Sequence, residues 1–161
     1  MTKVTPATGA LEASGIDFEI TEHGMVRSLE EAAEARGLNP GAVIKTMVVR
    51  RGEGDYLFVL VPGDREISWP KLRALLGVSR LSMPDQDVAF EVTGFRRGTI
   101  TPFGATTAWP VIADALLVQR QGPVSIGAGA HGFAATVAPE QLVEVLDAQI
   151  ADVTEPLTPR G

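Results

Sequence analysis

The chain of 161 residues contains no cysteine. That absence removes disulfides, thiolate metal sites and a thiol nucleophile together. Histidine is nearly as scarce: His23 and His131 are the only two, half of what a tetrahedral zinc site takes. No metal and no other cofactor is therefore expected. Long apolar runs are missing too; none approaches the roughly 18 residues of a membrane-spanning helix. The opening MTKVTPATGALEASG lacks the apolar stretch of a secretion signal. A soluble cytoplasmic protein without a membrane partner is the expectation. Positive charge is in deficit, with 14 Lys+Arg against 20 Asp+Glu and a net charge of −6. A generally basic coat for nucleic acid is excluded. A local patch is not, because Arg50, Arg51, Lys71, Arg73, Arg80, Arg96 and Arg97 crowd the middle of the chain.

What is present suits one domain with a single substantial core. Residues 7–14 read as a helix stopped by Gly15, followed by a short strand IDFEI. Ser28-Leu29-Glu30-Glu31 is a capping box that opens a second helix, and Gly37 ends it. IKTMVVRR and DYLFVLVP, separated by GEGD, form a hairpin. SWPKLRALLG is a helix with Ser68 as N-cap and Gly77 after its end. VSRLS reads as a strand, 84–93 as a helix, and WPVIAD, ALLVQR, PVSI and FAATV as short strands. A last helix runs from Pro139 through Leu146. Most connections between strands are too short for parallel crossovers. The pattern predicts a single α+β domain over 1–150, with a mixed, largely antiparallel sheet flanked by helices. Residues 151–161 read as a flexible tail.

One strand carries an anomaly. In AVIKTMVVR, alternation puts Lys45 on the same face as Val43, Met47 and Val49. Burying an ammonium without a partner costs several kcal/mol. The position is either a lysine that lays its stem over Val43 and Met47 and reaches water, or the cation of a binding site.

A second segment, GAGAHG at 127–132, matches G-x-G-x-x-G. The dinucleotide fingerprint needs a following helix and an acidic residue about 20 positions on. Here the strand-like FAATV follows, and 29 residues remain after Gly132. What survives is a glycine-rich turn whose backbone N–H groups can line a concavity for an anion.

These pieces occur in a fixed order: Lys45-Thr46-Met47, Thr93-Gly94-Phe95 through Thr99-Ile100-Thr101-Pro102-Phe103-Gly104, Val111-Ile112-Ala113-Asp114, and Gly127 to Gly132. In that order and spacing the chain resembles the YbaK/prolyl-tRNA synthetase editing-domain family over about residues 15–147. The resemblance implies a mixed sheet curled into a partial barrel, with a pocket at the lysine-bearing strand. It implies a free-standing deacylase that hydrolyses the ester of mischarged tRNA, with Cys-tRNA(Pro) or Ala-tRNA(Pro) among the substrates. Prolyl-tRNA synthetase is the implied protein partner. Lys45 would orient the 3′ end, and the N–H groups of Gly127 and Gly129 would receive the developing oxyanion. Thr46, His23, Gly98, Thr101, Pro102, Asp114, His131 and Gly132 would contact substrate.

Thr21 stands where members specialised for cysteinyl-tRNA(Pro) carry tyrosine. Gly127 replaces a serine, and Ala130-His131 replaces a basic pair. The amino acid removed is therefore left open. Two other readings compete: a domain of the same fold that binds aminoacyl-tRNA or a nucleotide without hydrolysis, and an unrelated small-molecule enzyme.

Overall fold

The computed structural model describes residues 5–22, 31, 33–34 and 37–158. His23 and the Ser28 capping box lie outside the described residues. The end of that second helix is described. Gly37 N–H donates to Glu34 O at 3.0 Å and Leu38 N–H to Ala33 O at 2.8 Å, the paired closure that a left-handed glycine permits.

Helix α1 spans Pro6–Ser14 and is stopped by Gly15 in the left-handed conformation. Its N-cap is Thr5, whose hydroxyl accepts from Thr8 N–H while Thr8 Oγ1 accepts from Thr5 N–H. Strand β1 (Phe18–Glu22) follows, then a single 3₁₀ turn at Pro40–Ala42. Strands β2 (Ile44–Gly52) and β3 (Asp55–Pro62) make the expected antiparallel hairpin, with an irregularity between Arg50 and Gly52. Next come β4 (Arg65–Ile67), α2 (Trp69–Leu76, capped by Ser68 and Gly77) and α3 (Gln86–Thr93, closed by Gly94). The remainder is β5 (Val111–Asp114), α4 (Leu116–Gln119), β6 (Val124–Ala130), β7 (Phe133–Val137), α5 (Pro139–Val145), β8 (Gln149–Ala151) and β9 (Thr154–Pro156).

The strands form sheets ordered β1-β7-β6 and β2-β3-β5-β8, with β4 and β9 as a separate pair. A parallel bridge from Val43 to Ser125 joins the first two sheets along a seam between β2 and β6. The sheet is mixed: β3–β5 and β5–β8 are parallel and the other ladders antiparallel. It does not close into a barrel. The expected mixed sheet thus holds two parallel pairs: β3 crosses to β5 through β4, α2 and α3, and β5 to β8 through α4, β6, β7 and α5.

Strand β3 is buried from Tyr56 to Pro62, so it has apolar partners on both faces. Tyr56, Phe58 and Leu60 join a cluster with Leu11, Ile44, Val48, Phe95 and Ile126. Leu57, Val59 and Val61 join a second cluster with Val49, Ile67, Leu72 and Val153. Burying a side chain of this size contributes roughly 1.5–3 kcal/mol, which makes these two layers the main stabilising term.

Three expectations need correction. ALLVQR is a helical turn, not a strand, because Asp114 Oδ2 accepts Leu116 N–H at 3.2 Å and turns the chain there. VSRLS contributes a single bridge, Arg50 with Ser82. The segment from Ala151 onward is not a free tail: β9 pairs with β4, and Val153 and Thr154 are fully buried. Val153 N–H also donates to Asp114 Oδ1 at 3.1 Å. A chain truncated after Ala151 should therefore lose at least about 2 kcal/mol, the burial value of Val153 alone, read as a lower urea midpoint. An unchanged midpoint would restore the flexible-tail reading.

Candidate functional site

Alternation along β2 sorts its residues as the sequence implied. Ile44 and Val48 enter the first cluster, and Met47 and Val49 pack on the second. Lys45 takes the parity of Met47 and Val49, and Thr46 that of Ile44 and Val48. Lysine and threonine are thus adjacent in sequence but on opposite faces. Thr46 Oγ1 is buried and has no hydrogen-bond partner among the described residues.

Lys45 is half-buried, and its Nζ donates to Arg65 O at 2.6 Å. Burial pulls its ammonium below the ordinary lysine range, while Glu66 and then Asp64 pull in the opposite direction. Asp64 is itself held by Arg120 in a two-pronged pair at 2.9 and 3.0 Å. That guanidinium keeps the Asp64 carboxyl below its usual range. One of the three donors of Lys45 is committed to Arg65 O, and the other two have no partner among the described residues.

The parallel bridge between Val43 and Ser125 brings β2 beside β6, two residues before Lys45 on one strand and two before Gly127 on the other. At Gly127 the space of a side chain is filled by backbone: a Cβ there would stand 3.3 Å from Ile100 O and 3.6 Å from Thr99 O. The glycine is needed for this close approach, which lays the Thr99 and Ile100 carbonyls of loop 94–104 against β6. Within that loop, Thr99 N–H and its hydroxyl both donate to Arg96 O, at 2.9 and 2.7 Å, closing a turn around Gly98. Gly98 is exposed, with φ +88, and a Cβ there would lie 3.3 Å from Cε1 of the exposed His131. The amides of Gly98 and Ile100 donate to no partner among the described residues. Thr101 is fully buried, with its hydroxyl accepting from Phe103 N–H at 3.4 Å, and Pro102 is half-buried.

GAGAHG is not a free turn. It runs to the end of β6 and into the β6–β7 hairpin, where Gly132 is half-buried with φ 70. Gly127 pairs with Ala134 and Ala130 with Phe133, and a bulge lies between. Gly129, with φ +87, faces Phe95, Thr5 and Ala7, where a Cβ would come within 3.0–3.3 Å. Ala128 O in the same bulge accepts from Thr5 Oγ1 at 2.7 Å. The glycine therefore seats α1 against β6, with protein packed where its side chain would stand.

Gly98, Thr101 and Pro102 thus lie in the loop over Gly127, His131 and Gly132 in the adjoining β6–β7 turn, and Lys45 on the neighbouring strand β2. Asp114 does not: it is 1% exposed, and its oxygens accept from Leu116 N–H and Val153 N–H. A cavity of about 420 Å³ lies nearby, lined by Gly41, Ile44, Asp64, Leu117, Arg120 and Val124. Neither Lys45 nor the Gly98 loop lines it, so concavity and motif residues do not coincide. Of the arginines marked for RNA, Arg51 is paired with Asp55 at 2.9 Å, while Arg96 and Arg97 are exposed without a carboxylate partner among the described residues. Sequence reasoning missed Asp64, Arg65 and Glu66, which surround the lysine. REI is too short to read as a strand.

A family model for the aminoacyl-tRNA editing domain matches residues 23–145. EbsC of Enterococcus faecalis, a candidate Cys-tRNA(Pro)/Cys-tRNA(Cys) deacylase, is 27% identical over 127 residues, covering 79% of this chain and 77% of EbsC. A proline–tRNA ligase of Trichlorobacter lovleyi is 32% identical over 102 residues, which is 63% of this chain but only 18% of the ligase. The solved structure of a candidate trans-editing enzyme for prolyl tRNA synthetase matches with a TM-score of 0.86 at 28% identity, covering 96% of this chain and 99% of that one.

Two outcomes follow from the geometry. Gly129→Ala should destabilise the protein by about 2–4 kcal/mol, adding left-handed backbone strain to overpacking, as measured by urea unfolding. A fully stable Gly129→Ala would show that the glycine is not a packing device. The second concerns Lys45→Met. Well below the folded-state value, folded and unfolded chains both carry the Lys45 proton, and its burial cost is fully present. Between that value and the ordinary 10.5, only the unfolded chain is protonated, so stability rises with pH. Wild type should therefore gain on Lys45→Met as pH climbs above neutral toward 10.5, and a constant difference would contradict the burial.

Proposed function

Because the chain belongs to the aminoacyl-tRNA editing domain family, we propose that it acts in trans as a deacylase on mischarged tRNA. The observation that carries this reading is the seam itself. It supports the reading by setting a half-buried lysine two residues past the β2–β6 bridge, and by laying over Gly127, two residues past the same bridge, a loop whose Gly98 and Ile100 amides have no partner among the described residues. A tRNA 3′ end has the matching chemistry, with phosphates for an ammonium and an ester carbonyl for backbone donors.

The two free donors of Lys45 hold the terminal phosphate or the ester end. The amides of Gly98 and Ile100 receive the carbonyl oxygen as it becomes an oxyanion. They take the task first assigned to Gly127 and Gly129, because Gly127 is in the β6–β7 ladder and Gly129 is covered by Phe95, Thr5 and Ala7. Thr101 and Pro102 fix the loop, and His131 stands at its rim beside Gly98. Lacking a thiol or a Ser–His–Asp arrangement, the protein supplies position and electrostatics. Water, its proton relayed by a tRNA hydroxyl, or the misattached side chain attacks the ester carbon; the nucleophile's proton passes to the departing ribose oxygen, and the amino acid leaves as the free acid or as a ring closed by its own side chain. Small amino acids are the expected cargo, with cysteine or alanine on tRNA(Pro) the first pairs to assay.

Purified protein should release the amino acid from at least one such pair. Lys45→Ala should lower the rate at least about 100-fold, with an unchanged far-UV spectrum and a urea midpoint no lower than wild type. Gly127→Ala pushes on Ile100 O by a few tenths of an ångström, so it should slow hydrolysis more than tenfold while costing little stability. A wild-type protein that binds mischarged tRNA and hydrolyses none of the pairings supports the non-catalytic reading instead.

A further inference from the structure

The lip of the seam carries a feature that ester hydrolysis does not use. Arg96 places its guanidinium 4.6 Å from the centroid of the Phe90 ring. Phe90 lies on α3 and is 40% exposed, unusual for a large apolar side chain on an amphipathic helix. Arg96 is exposed as well. The cation sits over an exposed ring and is itself exposed.

Local charge sets this lip apart from the rest of the molecule. From Val92 to Ala113 the sequence has two arginines and no carboxylate, in a chain whose net charge is −6. Arg96 and Arg97, like Arg50, Arg65, Arg73 and Arg80, have no ion-pair partner among the described residues, but they alone adjoin an exposed aromatic ring bearing a cation. An aromatic ring with a planar cation on it, followed by a second free cation, has the composition of a single-stranded nucleic-acid platform. The turn closed by Thr99 on Arg96 O fixes the platform two residues from Gly98.

We propose that Phe90 and Arg96 stack an unpaired base of the tRNA 3′ end, and that Arg97 takes a flanking phosphate. This rests on the deacylase reading for which RNA reaches the site. The occupant is single-stranded, because a paired base has its faces covered by its neighbours. The strand enters over the Phe90–Arg96 pair, passes Arg97 and delivers its terminal ester to Gly98 and Lys45.

The test measures binding of a short fluorescent single-stranded RNA ending in CCA, by anisotropy, to wild type and to four variants. Phe90→Ala and Arg96→Ala should each weaken binding about 5- to 150-fold, the range for losing one base–aromatic stack. Phe90→Tyr should bind like wild type, because it keeps the ring. Arg97→Ala should lower the salt dependence by about one phosphate. The exposed positions leave the fold intact, which a urea midpoint verifies. The same RNA with abasic residues in place of the terminal bases should bind all the Phe90 variants alike. Equal affinity of wild type and Phe90→Ala for the base-bearing RNA overturns the proposal, even if mischarged tRNA is hydrolysed. Loss of RNA binding in Phe90→Ala with recovery in Phe90→Tyr supports it, even if wild type hydrolyses no ester. The two readings therefore fail separately.

Discussion

A strand buried on both faces cannot be satisfied by one layer, and β3 is such a strand. Its odd and even residues feed two different clusters, so the chain must supply helices or loops on each side of the sheet. α1 and the loop around Phe95 and Phe103 cover one face, while α2 and the C-terminal strands cover the other. Strand β2 lies beside β3 and inherits the same division. Lys45 is therefore held in a wall built for apolar residues, close enough to the 64–66 turn to find a carbonyl and two carboxylates. Its partial desolvation follows from the sheet around it.

The loop on the opposite side of the seam is positioned by absences. Gly127 has no Cβ, so the Thr99 and Ile100 carbonyls can approach β6. Gly129 has none either, so α1 can seat on the bulge and Thr5 can reach Ala128 O. Two glycines in one motif thus serve two packing contacts on different elements.

Periodicity made the hairpin, the capped helices and the face of Lys45 legible, because each depends on residues within one element. The Gly98 loop and its neighbours were legible by motif order. What stayed hidden depends on contacts between distant segments. The parallel pairing of β3 with β5 depends on a crossover through α2 and α3. The helical turn at Leu116 depends on a buried aspartate that also holds Val153, 39 residues away. The packing around GAGAHG stayed hidden for the same reason: the φ > 0 of Gly129 was foreseeable, but not the ring and helix that lie where its side chain would stand. The Arg65–Ile67 strand was invisible because three residues carry no period.

Arg65 links two parts of the molecule that sequence keeps 89 residues apart. Its backbone carbonyl accepts from Lys45 Nζ, and its guanidinium donates to Thr154 through Nε and Nη2 at 3.1 and 3.0 Å. Fusion partners and affinity handles are ordinarily placed at a chain end because that end is taken to be neutral. Here the C-terminal strand and the lysine share a single residue as their common anchor. A handle joined close behind Thr154 loads the same peptide unit that aims the ammonium, so the neutral place for an attachment is elsewhere on the surface.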